Sequence, residues 1–368
     1  MALCLRTRRQ LIGDLSSRPW PRSLHRLRCD RQTFRLDRSM TIIEEKSSIN
    51  AAGGWAQMRF LPEIGDLSRI VVLGVLVVAG QILYPGFLSP ENLRVVLTAV
   101  AGIGILAFGM TMVVITGEID LSVAGVAVLS IVIGGLLLPT GSPALIIGAT
   151  LLCGLGLGLV NGIFVAKLGV SSLISTLAML GIASALANIF SAGQATYPEK
   201  IAEYMWFGRG ALLGIPVPIL LLAVMALACV FMTRNSTFGR KLYATGGNAR
   251  AALLSGIRID RVKIVVFAFC GLCAAITGLI ESARLGYINP AAFPGLELKV
   301  LAVTVLGGAA LAGGTGSVFG TLVATLIIGV VNNLLNQMGV SFYMQQVVTA
   351  LVILVVVVPG MRNRRFVK

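Results

Sequence analysis

The sequence predicts an all-α polytopic membrane protein with about ten transmembrane helices. Its residues are 56% hydrophobic and only 12% charged, whereas soluble domains carry roughly 25% charged residues. A helix needs about 20 apolar residues to cross about 30 Å of hydrocarbon, and such stretches recur between short polar breaks. The predicted spans are residues 68–84, 93–115, 122–138, 143–166, 172–190, 215–233, 264–281, 298–312, 317–336 and 342–358.

The 43 glycines support the same fold class. Helices in membranes associate through small residues that let their backbones approach closely. Gly154, Gly156, Gly158 and Gly162 recur within one predicted span. We expect them to form a helix-packing face and not a flexible loop.

Basic residues predict the orientation of the spans. The break at residues 234–263 carries seven Lys and Arg residues against the single acidic Asp260, and residues 359–368 carry four more. Cytoplasmic loops are enriched in Lys and Arg, so both segments should face the cytoplasm. An even number of spans then places both termini in the cytoplasm. The net charge of +15 is assigned to topology, and no nucleic acid partner is predicted.

The chain divides into a basic tail at residues 1–67, a membrane domain at residues 68–358 that contains the loop 234–263, and a second basic tail. Residues 1–39 hold ten arginines, three aspartates and no lysine. Such a leader is typical of a transit peptide, of a disordered cytoplasmic tail or of a wrongly chosen start codon. We favour the last interpretation, with Met40 as the true first residue.

Two internal echoes indicate a repeat. Residues 115–120 and 276–281 share an Ile-Thr-Gly-x-Ile-acid pattern, and residues 148–161 resemble residues 320–333, each ahead of a Gly-Val-Ser. In each case the partners lie five spans apart, so the two copies cross the membrane in opposite senses. The sequence therefore predicts an inverted five-plus-five repeat.

The sequence contains no pattern typical of catalysis or metal binding. It lacks the Gly-x-x-x-x-Gly-Lys-Ser/Thr motif that cradles nucleotide phosphates, and its only histidine, His25, lies in the N-terminal tail. Cys270 and Cys273 form a Cys-x-x-Cys pair inside an apolar span, where packing is a simpler role than a metal or redox site. We therefore expect no enzyme activity, no metal and no cofactor bound by this chain.

The span centres also lack the ionisable residue that would couple a carrier to protons or sodium. Such a residue at mid-membrane costs roughly 3 kcal/mol and is kept for a task. Glu118 and Asp120 fall instead at the predicted cytoplasmic end of the second span, and Glu281 and Arg284 at the outer end of the seventh. This pattern indicates that coupling energy comes from outside the bilayer.

The loop 234–263 carries a short predicted helix. Asn248 is a favourable N-cap, residues 249–255 favour helix, and Gly256 is a natural stop. Two turns are too short to be stable alone in water, so we expect small and apolar residues to be held against a partner protein. A solvated loop would explain the charge but not the capped helix. The residues expected at that contact are Ala252 and Leu253, and those expected to give orienting turns and basic contacts are Phe238, Gly239, Arg240, Gly246 and Gly247.

Three stretches, residues 236–257, 117–122 and 305–317, together resemble one family. The first is similar to the cytoplasmic coupling segment of ribose/xylose/arabinose-type sugar permeases of ATP-binding-cassette (ABC) importers, in the branched-chain-type permease superfamily. The second, Gly-Glu-Ile-Asp-Leu-Ser, resembles the family's GGIDLS-like turn, except that Glu118 replaces a small residue. The motif positions in the last two stretches are Gly117, Asp120, Ser122, Gly307, Gly308, Gly313 and Gly314.

The resemblance implies a non-catalytic permease subunit of a sugar importer in the bacterial inner membrane, in contact with membrane lipid. It implies a second permease copy in a homodimer or heterodimer, cytoplasmic ATPase subunits that use ATP and Mg²⁺, and a periplasmic solute-binding protein that delivers a sugar-like small molecule. The ATPase subunits would dock on the helix at residues 248–255. Another neutral solute, such as a nucleoside or a furanone-type signal, stays open, as does a proton-coupled carrier.

Polar residues inside two spans are candidates for the solute path. Neutral hydroxyl and amide groups suit a neutral polyhydroxylated solute, which needs hydrogen bonds without strong binding. The alternative is that these groups only bond neighbouring helices. The candidates are Ser172, Ser175, Thr176, Asn332, Asn333 and Asn336.

Overall fold

The computed structural model describes residues 64–341 and residues 344, 345, 347, 348 and 351. Twelve α-helices lie in this part of the chain. They are α1 (Ile64–Leu83), α2 (Pro90–Ile115), α3 (Val123–Gly135), α4 (Pro143–Ala166), α5 (Ser172–Phe190), α6 (Ala202–Arg209), α7 (Val217–Val230), α8 (Thr237–Gly247), α9 (Ala249–Leu254), α10 (Ile259–Leu285), α11 (Leu296–Leu306) and α12 (Val318–Gln337). Between α6 and α7, β1 (Ala211–Leu212) and β2 (Ile215–Pro216) form an antiparallel hairpin.

The predicted class, a helical protein with many membrane spans, is confirmed. Within the described residues, seven helical segments are long and apolar enough to cross a membrane. They are α2, α4, α5, α10 and α12, together with α3 and α7 extended by their following helical turns to Thr140 and Asn235. In α1, the apolar stretch Leu67–Leu83 is shorter.

Several sequence predictions concern residues outside the described part of the chain. The tail up to residue 63, with Met40, and the tail 359–368 belong to this group. The tenth predicted span, residues 342–358, is described at five positions only. The total of ten spans and the cytoplasmic termini therefore stay predictions.

The eighth predicted span, residues 298–312, is wrong as a continuous helix. α11 ends at Leu306 after 11 residues, which is about 16 Å of helix and roughly half of the hydrocarbon thickness. Gly308 has a φ of +94°, and a Cβ added at Gly307 would lie 2.5 Å from the Cα of Thr321. The glycines turn the chain and let it pass close to α12, so residues 307–317 form a non-helical connection.

The centre of the described fold is α10, which packs along α4 and α2. The predicted glycine face on α4 contributes to this contact. A Cβ added at Gly158 would lie 3.0 Å from the Cα of Ala268, and Gly154 and Gly162 approach α10 in the same way. Gly156 does not belong to the face, because a Cβ there would meet no atom within 4 Å. Close backbone packing therefore holds α4 and α10 together as one unit.

The two sequence echoes differ in structure. The second pair lies inside α4 and α12, and each helix is followed by a glycine with positive φ, Gly169 at +67° and Gly339 at +69°. In the first pair, residues 115–120 run from the last residue of α2 into the connection to α3, whereas residues 276–281 lie inside α10. Only the second pair shares a local structure, and the inverted repeat stays a prediction.

Candidate functional site

Three of the sequence motifs meet at one backbone junction at the end of α2. The N–H of Gly314 donates a hydrogen bond to the carbonyl oxygen of Ile115, the last residue of α2, over 2.8 Å. A Cβ added at Gly313 would lie 2.9 Å from the Cα of Gly117, and a Cβ at Gly246 would overlap the carbonyl oxygen of Ile115. We call Gly117, Gly246, Gly313 and Gly314 the glycine junction.

Glycine is required at the junction for two different reasons. Gly117 and Gly313 have a φ of +82° and Gly314 a φ of +78°, a conformation that residues with a Cβ rarely adopt. Gly246 lies in the regular helix α8, but any side chain there would collide with backbone atoms of the neighbouring segments. The junction therefore joins α8, the end of α2 and the connection 307–317 by direct backbone contact.

The tight turns predicted at residues 238–240 and 246–247 are wrong, because both stretches lie inside α8. This helix is also fastened to the connection 307–317 by a side chain. The hydroxyl of Tyr243 donates a hydrogen bond to the carbonyl oxygen of Gly316 over 2.8 Å. Gly239 and Gly246 thus serve close packing and not chain reversal.

The remaining predicted residues of α8 differ in their surroundings. Phe238 is half-buried against the main core. Gly239 is buried, and a Cβ there would collide with the carbonyl oxygen of Thr233. Arg240 is exposed, and a Cβ at Gly247 would meet no atom within 4 Å. A side chain at Gly247 would therefore have room, although the Cα of Gly247 lies only 2.8 Å from a Cβ added at Gly314.

The predicted helix in the loop 234–263 is confirmed as α9, one residue shorter than expected. The side-chain oxygen of Asn248 accepts a hydrogen bond from the N–H of Ala251 over 3.0 Å and thereby caps the helix. Gly256 follows its C-terminal end with a φ of +79°. The cap and the stop are those that the sequence predicts.

The faces of α9 differ from the sequence prediction in one respect. Ala252 is only 4% exposed, so it packs within its own chain. Contrary to the prediction, it is not available to a partner protein. The N–H of Ile257 also bonds the carbonyl oxygen of Ala252 over 3.0 Å. Leu253 and Leu254 are 62% and 84% exposed. The apolar surface of α9 is therefore formed by these two leucines.

The connection between α2 and α3, residues 116–122, is held by a buried polar cluster. Asp120 is 1% exposed and accepts hydrogen bonds from the N–H of Ser122 over 2.9 Å and from its hydroxyl over 2.6 Å. Burial raises the pKa of the Asp120 carboxyl above its ordinary value, while the hydrogen bonds from Ser122 act in the opposite direction. Asn161 of α4 donates to the Ser122 hydroxyl over 2.8 Å. The cluster fixes the start of α3.

Glu118 has a charged partner on another element. The ammonium group of Lys263 in α10 lies 2.5 Å from its carboxylate, and the two side chains are 21% and 17% exposed. Sequence reasoning missed this pair, as it missed Asn161, because the two residues lie 145 positions apart. The signal that could have directed attention to it is an acidic residue at a position where the family motif has a small one.

Two candidate path residues on α5 bond the connection 116–122. The hydroxyl of Ser172 accepts the N–H of Ile119 over 3.3 Å, and the hydroxyl of Thr176 accepts the N–H of Leu121 over 3.0 Å. These contacts match the alternative interpretation, in which polar groups join neighbouring elements. They also hold the connection against α5.

The candidate Asn333 on α12 has a similar role. Its amide exchanges hydrogen bonds with Asn92 at the start of α2, over 2.9 Å and 3.2 Å. Of the other candidates, Ser175 and Asn332 are half-buried and Asn336 is exposed. A solute path along these residues stays a prediction.

The third sequence motif is divided between two places. Gly313 and Gly314 belong to the glycine junction, whereas Gly307 and Gly308 turn the chain at the end of α11. There the Nε of Arg69 donates a hydrogen bond to the carbonyl oxygen of Leu306 over 2.8 Å. Gly307 therefore lies against α12, and Gly308 lies against Arg69 of α1.

The Cys-x-x-Cys pair lies in a packed interface. Cys270 and Cys273 are fully buried in α10. A Cβ added at Gly109 of α2 would lie 3.0 Å from the Cα of Cys270 and 3.1 Å from the Cβ of Cys273. The small thiol side chains thus permit the close approach of α2 and α10.

Comparison with known proteins identifies relatives along most of the chain. A family model described as branched-chain amino acid transport system / permease component matches residues 92–357. The ribose import permease protein RbsC of Escherichia coli K12 is 38% identical over 296 residues, which cover 79% of this chain and 92% of RbsC.

Two further relatives extend the range of organisms. RbsC of Bacillus subtilis is 40% identical over 293 residues, covering 79% of this chain and 91% of that protein. The L-arabinose ABC transporter permease protein AraH of Azospirillum brasilense is 37% identical over 291 residues, covering 78% and 85% of the two chains.

Proposed function

Because the chain belongs to the branched-chain amino acid transport system / permease component family, we propose that it is the membrane-spanning subunit of an ATP-driven importer for a monosaccharide-like solute. Family membership confirms the resemblance stated from the three motifs. The chain is a multi-pass protein of the bacterial inner membrane. Solute and energy source belong to the proposal.

The sugar class of solute is supported by the names of the relatives, which are permeases for ribose and arabinose. Identity of 37% to 40% over more than three quarters of the chain favours a sugar over a nucleoside or a furanone-type signal. In such a system the binding protein selects the solute, and this chain supplies the passage.

The observation that carries the energy part of the proposal is the contrast between α9 and α8. α9 exposes Leu253 and Leu254 on a basic segment, while α8 beside it is packed against the end of α2 through Gly246. An ATPase subunit docked on the two leucines would thus push on a segment that is rigidly joined to a span. A loop that is merely solvated would explain neither the exposed leucines of α9 nor the packing of α8 against α2.

The proposed cycle assigns each partner a step. ATP and Mg²⁺ are bound by the cytoplasmic ATPase subunits, whose closure moves α9 and, through the glycine junction, the end of α2 and the connection 307–317. A second permease copy faces this chain across the passage, and a periplasmic binding protein delivers the solute at the outer side. This chain performs no chemical step.

The proposal is tested by uptake into vesicles that contain the chain, its ATPase subunit and its solute-binding protein. The substrates offered are ribose, xylose, arabinose, a nucleoside and a furanone. We expect ATP-dependent uptake of a pentose, which is lost when the Walker A lysine of the ATPase is replaced. Uptake of the nucleoside or furanone alone would reject the sugar, and uptake that survives the Walker A replacement would reject the ATP-driven importer.

A further inference from the structure

The segment that carries α9 is attached at two separate points, one at the end of α2 and one on the connection 116–122. The first is the glycine junction, where Gly246 of α8 meets the end of α2. The second is the ion pair between Lys263 of α10 and Glu118, which follows Gly117 directly. α9, at Ala249–Leu254, lies between Gly246 and Lys263 in the chain. One end of the segment that carries α9 is therefore packed against the last residue of α2, and the other end is ion-paired to the connection that follows it.

Lys263 has two acidic residues as potential partners, Glu118 and Asp260, and pairs with Glu118. Asp260 lies one helical turn before Lys263 on α10, at a spacing that permits ion pairing along a helix, yet among the described residues Lys263 pairs with Glu118 and not with Asp260. Asp260 is exposed, whereas Glu118 and Lys263 are half-buried. Partly buried ion pairs are screened less by salt than exposed ones, so the pair holds two elements 145 positions apart.

The attachment also reaches the buried cluster. Glu118 lies two residues before Asp120, whose carboxylate fixes the start of α3. Ser172 and Thr176 hold the same connection against α5. The first turns of α10 are therefore linked through Glu118 to the connection between α2 and α3.

We propose that Glu118 and Lys263 are positioning residues for energy coupling. Their ion pair transmits the movement of α9 and the first turns of α10 to the connection 116–122. The inference rests on the proposed function, since it presumes an ATPase that moves α9. It also predicts that loss of the ion pair lowers the amount of solute transported per ATP hydrolysed, and does not merely unfold the protein.

The test is a double-mutant cycle with a charge exchange. The variants are Glu118→Gln, Lys263→Gln, both together, and the exchange Glu118→Lys with Lys263→Glu; the matched control is Asp260→Asn. The readouts are solute taken up per ATP hydrolysed in vesicles and the melting temperature of each purified complex. The melting temperature identifies variants that fail to fold.

We expect each single replacement to lower the solute-to-ATP ratio about tenfold while ATP hydrolysis continues, since one charge is left without its partner. The double replacement should be less harmful than the product of the two single effects, and the exchange should restore the ratio to within about threefold. Asp260→Asn should leave the ratio unchanged.

The inference is overturned if the single effects multiply independently, if the exchange variant is no better than the singles, or if Asp260→Asn has the same effect. A wild-type chain that transports without ATP would instead reject the proposed function. ATP-dependent wild-type uptake with an unchanged ratio in all variants would reject only the role of the pair.

Discussion

Gly246 lies so close to the carbonyl oxygen of Ile115 that a single added carbon atom would overlap it. Its neighbour Gly247 occupies the same helix, yet a Cβ there meets no atom within 4 Å. Two adjacent glycines thus have different roles. A side chain at Gly246 would meet the end of α2, whereas a side chain at Gly247 would not, although the Cα of Gly247 itself packs close to Gly314.

Replacement of Gly246 by Ala should therefore separate α8 from the end of α2. We expect a loss of stability of about 1–3 kcal/mol from overpacking and a transport rate reduced by at least about tenfold, whereas Gly247→Ala should retain both. Thermal unfolding in detergent and vesicle uptake check the pair of variants. Equal behaviour of the two would contradict the glycine junction.

The exposed leucines of α9 should matter for partner binding and not for folding. Leu253→Ser with Leu254→Ser removes apolar surface that is already in water, so the melting temperature should not change, while co-purification of the ATPase subunit should be lost. Ala252→Asp places a charge at a position that is 4% exposed and should lower the melting temperature. Retention of the ATPase by the double serine variant would show that α9 is not its docking site.

The cap of α9 predicts a local effect. Asn248→Ala removes the hydrogen bond to the N–H of Ala251 and should destabilise the helix by about 1 kcal/mol. Amide hydrogens of residues 249–254 should then exchange about fivefold faster. Asn248→Asp, which can still cap the helix, should exchange like the wild type, and a similar rate in all three proteins would show that the cap does not hold α9.

The contact between α4 and α10 predicts a pair of opposite results on one helix. Gly158→Val would drive two methyl groups into the backbone of α10 and should abolish the folded protein. Gly156→Val points into open space and should be tolerated. The yield of monodisperse protein in detergent distinguishes the two variants, and a folded Gly158→Val protein would show that the helices do not pack as described.

The positions of helices could be predicted where an apolar stretch is flanked by polar residues or prolines. α4 and α5 begin and end at the predicted residues 143–166 and 172–190, because Pro143 and Ser172 follow polar breaks. Residues 298–312 are equally apolar but contain Gly307 and Gly308, and apolarity alone does not distinguish a buried turn from a helix. The length of α11 could therefore not be read from hydropathy.

The motifs of the site were predictable one by one, but their meeting point was not. Asn248 and Gly256 act within a few residues of themselves, so local rules predicted α9 correctly. Gly246 and Gly313 contact backbone that is distant in sequence. From the sequence alone, a glycine needed for close packing cannot be distinguished from a glycine needed for a turn. The ion pair of Glu118 and Lys263 could not be predicted either, because the two residues are distant in sequence.

In the proposed function, energy reaches this chain from a separate ATPase through the segment that carries α9. Solute uptake into vesicles containing the complete complex distinguishes this energy source from a proton gradient. Uptake is measured with ATP on the cytoplasmic face plus a protonophore, and with an imposed proton gradient but no ATP. We predict full uptake in the first condition and none in the second. Uptake driven by the gradient alone, and abolished by the protonophore, would contradict the account.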